Sequence, residues 1–517
     1  MRSRMCGRYD VAVVGGGIAG MATAARLQGR GLRTIVLEAH GLPGGCAGYY
    51  RRSGFSFDVG ATTLVDFEPG GVGGQLLDEI GMPPLAGDAL PGYVAWLPDR
   101  RATLHRDRRA WHEERLRVFG SSEAHRAFWR LLDELADVFW AASRRGIKLP
   151  IRSVDDIGRA AHAIGVKKLP LVRYAFWTVG DALNAFGLAR DEALIGLLSM
   201  LIEDTVHSTV ERAPLLNAAL GITIRGAGLT RPRGGMRGFW QALASSYRAA
   251  GGTLKVGWRV DRVGRERGGY VLLTRKGQVA ADQVVSSLPI ESTTAVAPFM
   301  RSALRPHLER NEDALGGAVV VFLGVPECEV EAQELTHHQL LQSYARPLGD
   351  GNNMFVSVSA PGDIDSAPPG HRAVMISTHC ELAPWNRAGA EAYEGRKRAA
   401  GEQLVELARR VYPTLGERAV VCEVATPRTY ARFARRPQGA VGGLKQTLRN
   451  ANQRAVPHDL GPHGFWLVGD TTWPGLGTVA CVLGSRIVAD GVTGLAEPSR
   501  RRVSIPRSPL AAAAEAA

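Results

Sequence analysis

Lysine is nearly missing from this chain of 517 residues. Of its 63 basic residues only seven are Lys, so the formal charge of +13 is almost entirely arginine. The arginines are spread along the whole length rather than gathered into a basic patch, and no motif for nucleic acid accompanies them. No nucleic-acid partner is expected. Cysteine is scarce as well: Cys6, Cys46, Cys328, Cys380, Cys422 and Cys481 form no C-x-x-C pair, and their gaps are long and irregular. That spacing argues against a zinc site and a dense disulfide framework, and fits reduced thiols in the cytoplasm. The 13 histidines show no ligand spacing, His337-His338 being the one adjacent pair, so no metal is expected. Long apolar runs are absent too. The longest obvious one, Ala193 to Ile202, is about half of the roughly 18–20 residues that cross a bilayer, and reads as a buried helix. Met1 to Tyr9 is basic, but no apolar signal-peptide region follows. With 45% apolar and 22% charged residues the chain is globular, and its length suggests two or three domains. Residues 495–517, Arg-rich and then Ala-rich, are expected to be disordered.

Glycine, by contrast, is abundant and placed. Tyr9 to Val14 is a short β run. Gly15-Gly16-Gly17-Ile18-Ala19-Gly20 follows it, then a helical stretch from Met21 to about Gln28. A second strand, Thr34 to Leu37, ends at Glu38. This is G-x-G-x-x-G between a strand and a helix, with an acidic residue closing the next strand, which is the setting of a dinucleotide site. Gly15 allows the tight turn, Gly17 lets backbone approach a pyrophosphate, and Gly20 lets helix and strand pack closely. The helix N-terminus offers free N–H groups to the anion. Glu38 stands where a carboxylate accepts hydrogen bonds from a ribose.

The following residues narrow the cofactor. Glu38-Ala39 leads into Gly44-Gly45-Cys46, and then into Phe57-Asp58-Val59-Gly60-Ala61-Thr62. These segments resemble the FAD-binding region of the amine-oxidase-like flavoprotein superfamily. Within it they are most similar to the phytoene desaturase and carotenoid isomerase family. The far end agrees: strand Phe465 to Val468, then Gly469-Asp470 through Gly477, then a helix from about Thr478 to Asp490. Its dipole would favour negative charge on a reduced flavin. Pro232-Arg233-Gly234-Gly235-Met236, the strands Gly257 to Val263 and Tyr270 to Arg275, and the glycine loop Arg436 to Gly443 are also similar to family segments. The motifs and the resemblance together imply an FAD-binding set of Gly15, Gly17, Ile18, Ala19, Gly20, Glu38, Ala39, Gly44, Gly45, Cys46, Gly60, Ala61, Thr62, Val260, Gly469, Asp470, Gly477, Thr478 and Val479. In the family, Val260 would contact adenine through its backbone, Asp470 the ribityl-pyrophosphate, and Thr478 and Val479 the flavin carbonyl. Cys46 and Cys481 read as packing residues.

The implied fold is α/β. A Rossmann-like FAD domain, discontinuous over 1–66, 228–292 and 436–494, is joined to a mixed α+β substrate domain from 67–227 and 293–435. A hairpin is expected around Tyr93 to Arg106, with helices after Trp111. Strands are expected at Gly317 to Leu323, Asn353 to Ser359 and Ala373 to His379. Ile147 to Leu183 mixes basic, apolar and aromatic residues. It reads either as a helix on an anionic membrane surface or as a helix packed inward with solvated basic residues. The resemblance favours the first, since carotenoids dissolve in bilayers; the localisation expected is cytoplasmic, peripheral on the inner membrane face.

The resemblance implies a carotenoid or related isoprenoid polyene as substrate, with desaturation or flavin-dependent cis–trans isomerisation as the chemistry. Cys46 and Asp470 look closer to the isomerase branch. Other readings are a polyene saturase, an amine or protoporphyrinogen oxidase, or a non-catalytic FAD scaffold or electron carrier. Acid–base candidates are Glu203, Asp204 and His207 at the end of the apolar helix, where burial would raise a carboxyl pKa. The alternative there is a solvated helix end.

Overall fold

The computed structural model describes residues 5–475 and 477–494, so the expected disordered tail lies outside the described residues. A seven-stranded sheet organises one part of it. Its order is Thr253–Val256, Thr34–Glu38, Met5–Val14, Gly277–Ser286, Gly269–Thr274, Val260–Glu266, with Phe465–Leu467 also on Gly277–Ser286. Strand Met5–Val14 runs parallel to both of its neighbours, and Phe465–Leu467 runs parallel to Gly277–Ser286. Val11 to Val14 is apolar at every position because both faces of the sheet are covered. Val11 and Val13 pack with helices Ile18–Gly29, Gly235–Ala249 and Thr478–Gly494; Ala12 and Val14 pack with Ile290, Met300 and Leu304 on the other face. Helix Ile18–Gly29, small and apolar, lies against helix Thr478–Gly494.

A second seven-stranded sheet has the order Val421–Ala425, Gly317–Pro326, His371–Cys380, Asn353–Val358, His337–Leu341, Gly92–Trp96, Arg101–His105. It is antiparallel except where His337–Leu341 meets Gly92–Trp96. The expected hairpin is present, with Leu97 N donating to Arg100 O across its turn. Helices Glu123–Arg144, Glu192–Val206 and Leu215–Ile222 share one apolar core with the hairpin. The mixed α/β architecture matches the expected fold class.

Two local expectations change. Residues 147–183 form no single helix but helix Val154–Ile164, the 3-10 turns of Val166–Phe176, and helix Val179–Ala185. The reason is local chemistry: Gly165 at positive φ, Pro170 within the turns, and capping boxes at Ser153 and Thr178 that start new helices. The strand expected over Gly257 to Val263 is interrupted, since Gly257 turns at φ +66. Thr253–Val256 and Val260–Glu266 then lie at opposite edges of the sheet. Among the described residues no helix is long and apolar enough to cross a membrane.

Candidate flavin site and acid cluster

Parallel strands deliver their C-terminal ends to one edge, and in such sheets that edge is where ligands bind. Here Val14, Glu38, Ser286 and Leu467 end together. After Val14 the chain turns through Gly15–Gly17 and enters helix Ile18–Gly29 without a side-chain cap at Gly17. The first N–H groups of the helix are therefore left for another acceptor. Gly20 is obligatory: a Cβ there would lie 2.2 Å from Gly15 O and 2.6 Å from the Ser287 hydroxyl. That hydroxyl donates to Val14 O at 2.9 Å and Gly15 O at 3.0 Å, fixing the turn.

Glu38 closes the next strand. Its Oε2 accepts from Gly16 N and its Oε1 from His40 N, each at 2.6 Å. Carboxylate lone pairs remain beyond these two bonds. Gly44 N donates to Gly16 O at 2.9 Å, laying the Gly44-Gly45 loop beside the first glycine turn. Ala39 is flanked by two backbone bonds, Trp258 N to Glu38 O and Gly257 N to His40 O, both 2.8 Å. These lead into buried Val260.

The other segments converge on the same edge. A Cβ on Gly60 would lie 2.4 Å from Cys46 O, so the turn carrying Gly60, Ala61 and Thr62 rests on the Gly45-Cys46 loop. Thr62 Oγ1 meets His337 Nε2 at 3.3 Å. Val468 N donates to Ser286 O at 2.9 Å and carries Gly469 and Asp470 into place. Asp470 pairs with Arg436 at 3.0 Å, and Arg436 Nε donates to Ala440 O at 3.0 Å. The glycine loop 436–443 is thereby folded onto Asp470. Burial opposes the Arg436 charge, but Asp470 holds its pKa above the usual value. Burial pushes the Cys46 and Cys481 thiols up, which keeps both uncharged and fits packing roles. Thr478 opens the last helix, with half-buried Val479 after it.

FAD fits this arrangement. A Cβ on Gly17 or on Gly477 would meet nothing within 4 Å, so open space lies over the uncapped helix start and over the C-terminal turn.

The acid candidates sit beside it. Helix Glu192–Val206 ends in His207 at φ 53, a left-handed cap whose N donates to Glu203 O at 3.2 Å. A Cβ on Gly442 would stand 2.0 Å from His207 Cε1, so the helix end abuts the glycine loop. His379, at the end of strand His371–Cys380, gathers the group. Its ring centroid is 4.6 Å from that of His207, and its Nδ1 is 3.7 Å from Glu203 Oε1. Gln339 Nε2 donates to Asp204 Oδ2 at 3.1 Å. Asp204 has protein packed around it yet is exposed, and it lines a partly open cavity of about 30 Å³ with Met200, Met354, Phe355, Gln339 and His379. Burial pushes Glu203 up to about 7, raises Asp204, and lowers His207 and His379. At neutral pH both imidazoles are therefore uncharged and Glu203 is partly protonated. Glu203 is half-buried, His207 is buried and Asp204 is exposed, so the solvated-helix-end reading holds for Asp204 but not for His207.

Sequence reasoning missed His379 and Gln339, which lie on strands far from any motif and become neighbours only through sheet pairing. It also left Arg436 and Asp58 unassigned, although both stood in quoted motifs. Asp58 accepts from Met236 N at 2.7 Å and pairs with buried Arg231 at 3.3 Å.

Residues 18–430 match the family of flavin containing amine oxidoreductases, and the chain belongs to that family. It is an FAD-dependent oxidoreductase. The chain is 25% identical over 501 residues to prolycopene isomerase 2 of an Oncidium hybrid cultivar, covering 91% of this chain and 81% of that protein. It is 27% identical over 520 residues to the phytoene dehydrogenase of Streptomyces griseus, covering 94% and 95%. A putrescine oxidase solved with putrescine shares the fold, with a TM-score of 0.60 at 16% identity over 95% of this chain and 100% of that one. The likeness to carotenoid isomerases and desaturases thus extends well beyond the glycine motifs.

Proposed function

We propose that the protein acts on an apolar carotenoid or related isoprenoid polyene and catalyses cis–trans isomerisation, with desaturation as the second reading. One observation carries this: Asp204 and His379 line a cavity with Met200, Met354 and Phe355, while Glu203 and His207 stand beside His379, His207 abutting Gly442 of the glycine loop. When bound, the flavin supplies hydride or electron transfer. The cavity, of about 30 Å³, has to widen to take a hydrocarbon, and the flexible thioethers of Met200 and Met354 can shift to let it. Glu203, partly protonated at neutral pH, can lend a proton in one form and take one in the other, whereas burial makes His207 resist protonation. A proton lent and returned leaves the bond count of a polyene unchanged, which suits rotation about a double bond. A proton only taken, by the ionised form of Glu203, with hydride leaving to the bound flavin, suits desaturation.

The cofactor-holding roles follow the site. The N–H groups of Ile18 and Ala19 would meet the pyrophosphate, Glu38 the ribose, and Thr478 and Val479 the flavin carbonyl. The sheet containing Met5–Val14 supports a flavin domain drawn from 1–66, 228–292 and 436–494. Peripheral membrane docking through 147–183 is supported by Val154, Ile157, Val166 and Phe176, all exposed beside exposed Lys167 and Arg173. Flotation with anionic vesicles tests it: Phe176→Asp should abolish co-flotation, and unchanged flotation rejects this surface.

Expression in a polyene-producing host, followed by pigment separation, tests the reaction. A changed isomer ratio at constant conjugation length is expected. A longer chromophore selects desaturation, and no change in any polyene rejects the substrate class.

A further inference from the structure

Two acid side chains stand next to each other at the end of helix Glu192–Val206, and the fold gives them different company. Glu203 has His379 Nδ1 at 3.7 Å, and the cation whose field reaches it, Lys445, is already paired with Glu381 at 2.9 Å. Asp204 ends a longer chain of partners. Its Oδ2 accepts from Gln339 Nε2 at 3.1 Å, and Gln339 Oε1 accepts from Arg225 Nη2, also at 3.1 Å. Gln339 and Arg225 are each only 3% exposed. The two bonds run from a buried guanidinium, through one amide, to a carboxylate at the cavity.

The chemistry of these groups leaves the chain one direction. A guanidinium only donates, so the amide has to turn Oε1 towards Arg225. The amide nitrogen then faces Asp204 and can only donate, so Oδ2 has to stay unprotonated while the bond lasts. A proton arriving on Asp204 is confined to Oδ1. Among the described residues Oδ1 makes no hydrogen bond, and Asp204 is exposed. Arg225 is itself held in place. It belongs to the 3-10 turn Ile224–Ala227, its guanidinium lies 5.1 Å from the Tyr93 ring centroid, and the Tyr93 ring stacks on His337 at 4.9 Å. Burying a guanidinium is costly unless its charge is answered. The carboxylate whose field answers it is Asp204, one amide away. The other titratable groups facing Asp204 are His379, Glu203 and Tyr93, and none of them is a cation at neutral pH.

We propose that Arg225 and Gln339 are positioning residues of the acid cluster, acting on Asp204. The cation works through the amide to favour the ionised carboxylate, to fix Oδ2 as an acceptor, and to leave Oδ1 as the oxygen that a proton from the cavity can reach. Two neighbouring carboxyls in unlike surroundings then take unlike parts, Glu203 as the member that passes a proton and Asp204 as the standing anion beside it. This rests on the acid cluster as the reacting centre but not on a polyene as the substrate.

The test follows the carboxylic C=O stretch of the FAD-loaded full chain by infrared difference spectroscopy during a pH titration. The band missing in Asp204→Asn belongs to Asp204. In Arg225→Met its midpoint should rise by about one pH unit, since the anion loses the cation that favours it. Arg225→Lys keeps the charge and should hold the midpoint closer to that of the unaltered chain. Gln339→Leu, with Arg225 in place, removes the donor to Oδ2 and should also raise the midpoint; it stands in if Arg225→Met fails to fold. The flavin absorption spectrum should be the same in all of these variants. An unchanged midpoint in Arg225→Met or Gln339→Leu overturns the proposal. So does an equal shift in Arg225→Lys and Arg225→Met, which would make the arginine a packing element. The polyene reading is judged separately. Its loss leaves the midpoint shift standing, whereas an unchanged midpoint in a chain that still turns over a polyene defeats the Asp204 assignment by itself.

Discussion

Two of the places where protein is packed around carboxyl groups treat them differently. Asp58 is met by Arg231 and by the Met236 N–H, so its charge is answered by a cation and a backbone dipole. Glu203 and Asp204 are met by an imidazole and an amide, neither of which carries a formal charge at neutral pH. Burial raises the proton affinity of all three. The difference lies in what each is free to do. The first carboxyl joins the 57–62 turn to the start of helix Gly235–Ala249 and is spent on that joint. The second pair keeps its protons exchangeable beside the glycine loop.

Breaking the first place should cost most. Asp58→Ala leaves Arg231 buried without a counter-charge, with only the Thr62 carbonyl at 3.5 Å, and a loss of about 3–5 kcal/mol in unfolding free energy is expected from urea denaturation. A loss under about 1 kcal/mol would mean that Arg231 finds another acceptor. Next is the second place. Glu203→Gln should lower turnover by about 10²-fold and remove a titration limb near pH 7, with the flavin retained. The sign of the accompanying stability effect is opposite to that of an ion-paired acid. The folded state binds the Glu203 proton more tightly than the unfolded state does. Stability should therefore fall as pH rises from 4.5, the ordinary glutamate value, to about 7, and Gln should flatten that slope. A limb that persists in the variant assigns it to another group.

Smaller effects sharpen the boundary between the two places. Glu38→Ala removes an acceptor at the strand end and should weaken FAD retention by about tenfold while the chain stays folded. Unchanged affinity in equilibrium dialysis would count against the ribose assignment. Gly442→Ala crowds His207 and should lower turnover by a few-fold, roughly 1 kcal/mol in the barrier, without loss of flavin. Full activity would show that the loop yields instead.

How much of this was legible beforehand depended on whether a feature was local. The first strand, glycine turn and helix were legible because the motif is contiguous and each residue has its own steric reason. The strands His337–Leu341 and Val421–Ala425 were not foreseen: one carries His-His-Gln and the other Cys-Glu, so neither shows an apolar run. Those polar residues are stable there because the fold satisfies them, as with His338 Nε2 and the Tyr412 hydroxyl at 2.9 Å. Glu203, Asp204 and His207 were legible as candidates from one helix end, whereas His379 joins them only through tertiary packing. The arginine bias has a second source that composition could not reveal. Arg26, Arg115, Arg225 and Arg231 are all buried, where a planar fork serves better than an ammonium.

The parallel pairing of Met5–Val14 with Gly277–Ser286, and of that strand with Phe465–Leu467, has a consequence during synthesis. A ribosome releases the first glycine turn hundreds of residues before the strand that completes the sheet. The N-terminal strand must wait, half-paired, for Gly277–Ser286, and the end of that strand waits in turn for Phe465–Leu467. Contacts of such sequence separation slow folding and leave sheet edges open to wrong partners. The nascent chain is therefore expected to depend on holding factors, and to take up its flavin only after the final helix has left the exit tunnel.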